Sequence, residues 1–199
     1  MNKNITLRLL AAFLWLFCGV AVAAEAIDEI VVTADFRGRL ASDLPASVTV
    51  LDARQIEERS VQHFEELVSS IPNFNWSGDG HRARYFQMRG VGELEQYQGA
   101  PNPSVGFLID DIDFSGIGTV ATLFDMQSVE VLRGPQGTRY GANALAGLVY
   151  LRSAEPTAEF DGRIELQAGE DGMVAGGVAV GGGLNANDSV TGRLSAHFH

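Results

Sequence analysis

Apolar and polar residues alternate along three stretches near the C-terminus. Residues 163–169 read RIELQAG, with Ile164, Leu166 and Ala168 at every second position. Residues 173–183 alternate small residues with valine, and in 190–199 Val190, Gly192, Leu194, Ala196 and Phe198 share one side. A period of two is the signature of a strand with two unlike faces. The sequence Asn185, Ala186, Asn187, Asp188 predicts a turn between the last two stretches. Strands of about ten residues separated by turns match the wall of a transmembrane β-barrel. A soluble antiparallel meander has the same period, and this pattern alone leaves both open.

Upstream the pattern is mixed. Strands are predicted at 47–51, 85–90 and 105–109, from Val129 onward, and again from Leu148. Asp52 suits the N-cap of a helix over 53–58, with Gln55 completing a capping box. Val61, Phe64, Leu67, Val68 and Ile71 recur at helical spacing and predict a second helix, stopped by Pro72. His63 and the glutamates at 57, 58, 65 and 66 fall off that apolar face and read as solvated surface groups. Residues 73–80 and 91–104 read as loops, Asp110 and Asp111 as a turn, and 123–127 as one helical turn. Residues 152–156 read as a linker.

The stretch 129–150, VEVLRGPQGTRYGANALAGLVY, joins two strands through Gly134, Pro135, Gly137, Gly141 and Gly147. Glycine supplies positive φ and close backbone approach, so this stretch reads either as a compact glycine-built turn packed inside a wall or as a loose hairpin with a long loop. Residues 25–44 read as an extended, mobile segment carrying the β-prone run Ile30, Val31, Val32, Thr33, with an ordinary first strand as the alternative. Such a run in a mobile segment suits pairing with a sheet edge on another protein.

The N-terminus changes the compartment. Lys3 and Arg8 precede an apolar run of 14 residues, 9–22, followed by Ala23 and Ala24. This is the pattern of a secretory signal peptide over 1–24, cut after Ala23 or Ala24. The run is short for a membrane-spanning helix. Cys18 lies within it, so the expected mature chain of the 199-residue sequence has no thiol chemistry. The net charge of −11 leaves no basic patch for nucleic acid.

Catalytic and metal motifs fall short. Residues 78–83 superficially fit a dinucleotide fingerprint but neither follow a clear strand nor open a helix. Asp110, Asp111 and Asp113 lack EF-hand spacing. His197 and His199 would share one strand face without a third ligand. No nucleophile elbow is present. Neither an enzyme nor a cofactor or metal site is expected.

Taken in order, several stretches resemble the plug region of TonB-dependent outer-membrane receptors. Asp28, Glu29, Ile30, Val31, Val32, Thr33 and Ala34 resemble the energy-coupling box. Residues 45–52, two short helices and Ile71, Pro72, Asn73 resemble the opening of the plug. Residues 87–92 resemble its Arg-Gly strand. Residues 105–111 resemble its valine-aspartate-glycine hairpin, with Asp111 where the family usually has Gly. Residues 129–150 are the best match.

The resemblance implies an α+β fold: a small mixed-sheet plug with short helices over 45–155, then the first antiparallel strands of an incomplete transmembrane barrel over 156–199. The extended segment with its box occupies 25–44. It implies a barrel of about 22 strands filled by the plug, a box pulled by the periplasmic energy-transducing protein TonB, and uptake of a scarce nutrient such as a ferric siderophore at the outer membrane. Arg89 and Arg133 then face barrel glutamates. Ligand contacts are expected among the loops 76–82, 93–102 and 115–120, at Trp76, Arg82, Tyr97 and Gln98. Only about two to four barrel strands fit after the plug. The expectation is therefore a truncated receptor or gene fragment, the alternative a periplasmic plug that binds the transducing partner without transport.

Overall fold

The computed structural model describes residues 31–34, 38–78, 82–94, 103–117, 121–185, 187 and 189–198. The expected signal peptide, and Asp28, Glu29 and Ile30 of the expected box, lie outside the described residues. Thirteen strands and three short α-helices are described. The N-terminal hairpin is β1 (Val31–Val32) and β2 (Arg39–Leu40). Then come β3 (Ser47–Asp52), α1 (Ala53–Glu58), α2 (Phe64–Leu67), β4 (Phe74–Ser77), β5 (Tyr85–Met88), β6 (Val91–Gly92), β7 (Val105–Ile109) and β8 (Ile112–Asp113). The chain continues with β9 (Met126–Arg133), α3 (Gly137–Tyr140), β10 (Gly147–Ser153), β11 (Asp161–Ala168), β12 (Val174–Gly183) and β13 (Thr191–Phe198).

A five-stranded sheet, ordered β3-β9-β10-β7-β8, organises the body. Its pairs are antiparallel except β10 with β7. The antiparallel β9–β10 pair is the two-strand stretch predicted at 129–150. Val129 and Val131 point to one face, where Phe64 sits within 5.3–5.8 Å, centroid to centroid, of Phe74, Phe86 and Phe107, edge-on to each. Edge-to-face rings add to the burial of their area. The opposite face carries Leu108, Leu132, Leu148 and Tyr150, covered by Val32 and Ala34 of the N-terminal segment. A sheet covered on both faces reads as nearly continuous apolar runs, as Leu148, Val149, Tyr150 and Leu151 do.

The capping box at α1 is formed: Asp52 accepts from Gln55 N at 2.7 Å and Gln55 Oε1 accepts from Asp52 N at 3.3 Å. The second helix is shorter than its spacing predicts. His63 is extended, at φ −129°, and bridges to Thr122, while Leu123 N donates to Gln62 O at 3.0 Å. Residues 61–63 are spent on that pairing, so α2 starts at Phe64 and ends in a 3-10 turn, Val68–Ser70. The same pairing keeps 122–123 extended instead of forming the helical turn predicted at 123–127. It also buries His63, against the surface position expected. Two glutamates read as solvated are engaged: Glu57 pairs with Arg163 and Glu65 with Arg82. Within the predicted loop 73–80, 74–77 form β4, because pairing with the later strand β5 satisfies its backbone and Phe74 is buried in the core. Part of the predicted linker, Arg152 and Ser153, extends β10.

Beyond β10 the strands β11, β12 and β13 form a separate antiparallel meander, with eight paired residues at each of its two ladders. Its outward face is apolar: Ile164 is 79% exposed, Leu166 80% and Leu194 73%. Its inward face carries Arg163, Glu165, Gln167, Arg193 and His197 and meets the body.

Candidate functional site

Two contact zones meet on β9 and the residues leading into it. The first is the dock of the N-terminal segment. Residues 25–44 are expected to be mobile, yet Val31–Ala34 is held. Val32 and Ala34 are fully buried, and Val31 is 46% exposed. β1 pairs with β2 in the register Val31 with Leu40 and Val32 with Arg39. The anchor is Glu130, 0% exposed. Its carboxylate accepts from Thr33 N at 2.9 and 3.0 Å, from Thr33 Oγ1 at 2.5 Å and from Ala34 N at 2.8 Å. Tyr140 Oη donates to the Ala34 carbonyl.

Beside the dock, the β7–β8 turn is closed by Asp110 and Asp111, both at positive φ. Asp110 accepts from Ser153 N at 2.8 Å and Ser153 Oγ at 2.6 Å. Asp111 accepts from Tyr150 Oη at 3.0 Å. Burial, reinforced by that hydrogen bond to Asp111, pushes the Tyr150 phenol well above its usual range. Asp113 is the reverse case: burial opposes its ionisation, but hydrogen bonds from Ser115 and Asn143 hold its carboxyl below the usual range.

The second zone is the seam between the body and the C-terminal sheet. Arg193 donates from Nε and Nη2 to the two Asp125 oxygens at 2.8 and 2.6 Å, and from Nη1 to Asp161 at 2.7 Å. Its side chain is 9% exposed and that of Asp125 5%. A bidentate guanidinium–carboxylate pair fixes orientation as well as distance. Phe124 stacks on His197 at 5.6 Å, with the Arg163 guanidinium 5.5 Å from its ring centre. The ring occupies space that a side chain on Gly177 would take, since an added Cβ would lie 2.5 Å from Phe124 Cε2. Gln62 donates to Gln167, and a cavity of about 210 Å³ remains between α1, Phe124 and β11.

Within the glycine-built turn the glycines do different work. Gly147 pairs with Arg133 in the β10–β9 ladder, and an added Cβ would meet the Leu132 carbonyl oxygen at 2.5 Å and the Met88 sulfur. Gly134 and Gly141 hold positive φ, whereas a Cβ on Gly137, at the start of α3, would meet nothing within 4 Å. Pro135 lies in the bend between them.

Residues 41–148 match the family model for the TonB-dependent Receptor Plug Domain. The chain belongs to this family. The pesticin receptor of Yersinia pestis is 33% identical over 140 residues, which are 69% of this chain and 20% of that receptor. The ferrioxamine B receptor of Salmonella typhimurium is 27% identical over 164 residues, 77% of this chain and 22% of that one. Among solved structures, the ferric yersiniabactin uptake receptor of Yersinia pestis superposes with a TM-score of 0.66 at 28% identity, covering 79% of this chain and 24% of that chain. The ferripyoverdine receptor of Pseudomonas aeruginosa shares the fold, with a TM-score of 0.67 at 21% identity over 84% of this chain and 22% of that one. This chain thus spans about a fifth of the length of the curated relatives it matches. The relatives are outer-membrane receptors of Gram-negative bacteria, not enzymes. The fold is the one expected: a mixed-sheet plug with short helices and a few antiparallel strands of an unclosed barrel.

The plug places the other predicted residues as follows. Arg133 donates to Ser47 Oγ at 3.0 Å and Thr49 Oγ1 at 2.8 Å, both on β3. Burial, and then the nearby positive charge of Arg89, lower its pKa. Arg89 sits at positive φ in the β5–β6 turn, with its N–H on the Asn73 carbonyl at 2.8 Å. The two arginines therefore lie near each other. Trp76 is half-exposed on β4 and Arg82 pairs with Glu65 at 3.4 Å. Tyr97 and Gln98 lie outside the described residues.

Sequence reasoning missed Glu130, Phe124, Asp125 and Arg193. For Glu130 a signal existed: an acid between Val129 and Val131 with Leu132 beyond it sits in a strand whose two faces are both apolar, so it must find donors. Asp125 and Arg193 gave no local signal, being 68 residues apart.

Proposed function

We propose that this chain is the plug, with the first wall strands, of an energy-coupled outer-membrane receptor that takes up a scarce nutrient, of the ferric-siderophore class named for its relatives. The observation that carries the reading is the docking of Val31–Ala34 on the plug sheet, with the residues of the expected coupling box ending there. A β-prone segment held at the plug surface, with Val31 outward, suits capture by edge-strand addition to TonB. The outward apolar face of β11, β12 and β13 suits lipid, and their polar inward face suits a plugged lumen.

Arg89 and Arg133 deepen the reading. Two cations near each other, with Arg133 bonded to hydroxyls and carbonyls rather than to an acid among the described residues, suit carboxylates brought by further wall strands. Trp76 and Arg82 remain ligand contacts under this proposal.

Binding to the periplasmic domain of TonB, before and after Val31→Pro, tests the coupling role. Proline removes a ladder donor, so retention should fall at least about tenfold for a strand-added segment. Unchanged retention would rule the coupling role out.

A further inference from the structure

We propose that Glu130 is a latch: its buried carboxylate holds the coupling segment on the plug by the Thr33 and Ala34 amides, and TonB capture competes with it for Thr33. This rests on the reading of 28–34 as the coupling box.

The hydrogen bonds of the Glu130 carboxylate described here all run to one short segment. They come from Thr33 N, Thr33 Oγ1 and Ala34 N. Taking an ion out of water is costly, and bonds to donors must offset that cost. A carboxylate accepting several backbone amides is well offset. Here, however, the donors do not belong to the sheet that carries the acid. They lie 96 and 97 residues away in the chain, on a segment whose own secondary structure is a two-residue hairpin strand.

The acid also stands on an apolar face. Its neighbours across the same side of the sheet, Leu132, Leu148 and Tyr150, pack against Val32 and Ala34. A leucine at 130 would serve such a face without any need of donors. A glutamate serves it only while the segment is docked. When the segment lifts, the acid loses its bonds and the face loses its cover together. Partial release is disfavoured on both counts, so docking and release are all-or-none.

Capture by strand addition uses the backbone groups of the captured residues. The Thr33 N–H is already committed to Glu130, so a partner pairing through Thr33 must displace the latch. Weakening the latch should therefore raise partner affinity, the opposite of what loss of a binding residue does.

The test uses the full chain in detergent, with Glu130→Gln, Glu130→Ala and Thr33→Val. Glu130→Gln keeps shape and one acceptor oxygen, so a folding failure of the alanine variant does not end the test. Exchange of the Thr33 and Ala34 amides is followed beside that of Val131 and Leu132. For loss of charge-assisted bonds, Glu130→Ala should speed exchange at 33 and 34 by about ten- to a hundredfold, with Glu130→Gln between it and the parent. Val131 and Leu132 should stay protected. Thr33→Val, which keeps the amide and loses the hydroxyl, should speed exchange about fivefold.

Retention on the TonB periplasmic domain should rise in the same order for the two Glu130 variants. Unchanged exchange at 33 and 34, or equal acceleration throughout β9, would overturn the latch. If Val31→Pro abolishes retention while the Glu130 variants leave it unchanged, the competition for Thr33 is wrong and the coupling reading stands. If Val31→Pro leaves retention unchanged, the coupling reading itself fails.

Discussion

Two buried carboxylates five residues apart, Asp125 and Glu130, do opposite jobs. Both lie at or within β9 and both bind across a long stretch of chain. Asp125 meets a guanidinium, bidentate, on the middle of an eight-residue strand. That strand is itself paired along its length with β12. Glu130 meets two amides and a hydroxyl on a segment with a single short hairpin pairing. The chemistry of the acid is the same, and the rigidity of the partner differs. The seam therefore joins two sheets lastingly, while the dock joins a sheet to something that can leave. The coupling role proposed above would use that asymmetry: the segment would yield before the plug parts from the wall.

The largest effect is expected at the seam. Removing one member of a buried ion pair strands the other, at a cost of about 3–5 kcal/mol. Asp125→Ala and Arg193→Ala should each lower the stability of the chain in detergent by that order, measured by denaturant unfolding. The double variant Asp125→Leu with Arg193→Met should recover most of it. A loss below about 1 kcal/mol for either single variant, the worth of an exposed pair, would show that the seam is not held by charge.

Next comes the notch that receives Phe124. Gly177→Val should force the ring off His197 and cost about 1–3 kcal/mol, the usual range for overpacking. It leaves the Asp125–Arg193 atoms in place, and so separates packing from charge. Exchange at Thr33 and Ala34 should not change in this variant. If it does, seam and dock are one unit and the contrast between them fails. Gly137→Ala is the control, because the added methyl meets nothing. It should be neutral or stabilising by a few tenths of a kcal/mol.

How much of this was legible in the sequence follows from the range of the interactions. The main strands of the five-stranded sheet were readable, though not their order, because they announce themselves locally: Val129 and Val131, or Val105 to Leu108, are apolar runs bounded by glycine, proline or aspartate. The α1 cap was readable because Asp52 and Gln55 are neighbours. Helix α2 was over-read because the spacing of Val61 with Phe64 fits a helix, while the pairing of His63 with Thr122 is non-local and took precedence. The period of two in 163–198 gave the strands but not which face turns inward. That was decided by Glu57, Gln62 and Asp125, residues of the plug. The segment 25–44 looked mobile because its polar residues have no period. What fixes its described part is a glutamate nearly a hundred positions on.

The smallest prediction concerns Tyr150, which lies on the dock side and has no counterpart at the seam. Its phenol sits among Val32, Leu132 and Leu148 and donates to Asp111. Burial first, and the hydrogen bond to Asp111 second, raise its folded pKa above the ordinary value near 10. A raised folded pKa means that the protonated phenol is favoured in the native state. Its contribution to stability is therefore complete below about pH 10 and is lost as the pH rises toward the folded value. Denaturant midpoints measured between about pH 9 and 11 should fall more steeply for the parent chain than for Tyr150→Phe, which removes the titrating group. Equal slopes would mean that the phenol ionises as readily in the folded plug as in the unfolded chain. The dock would then be wet around Tyr150, and the apolar cover supplied by Val32 would be looser than its burial indicates.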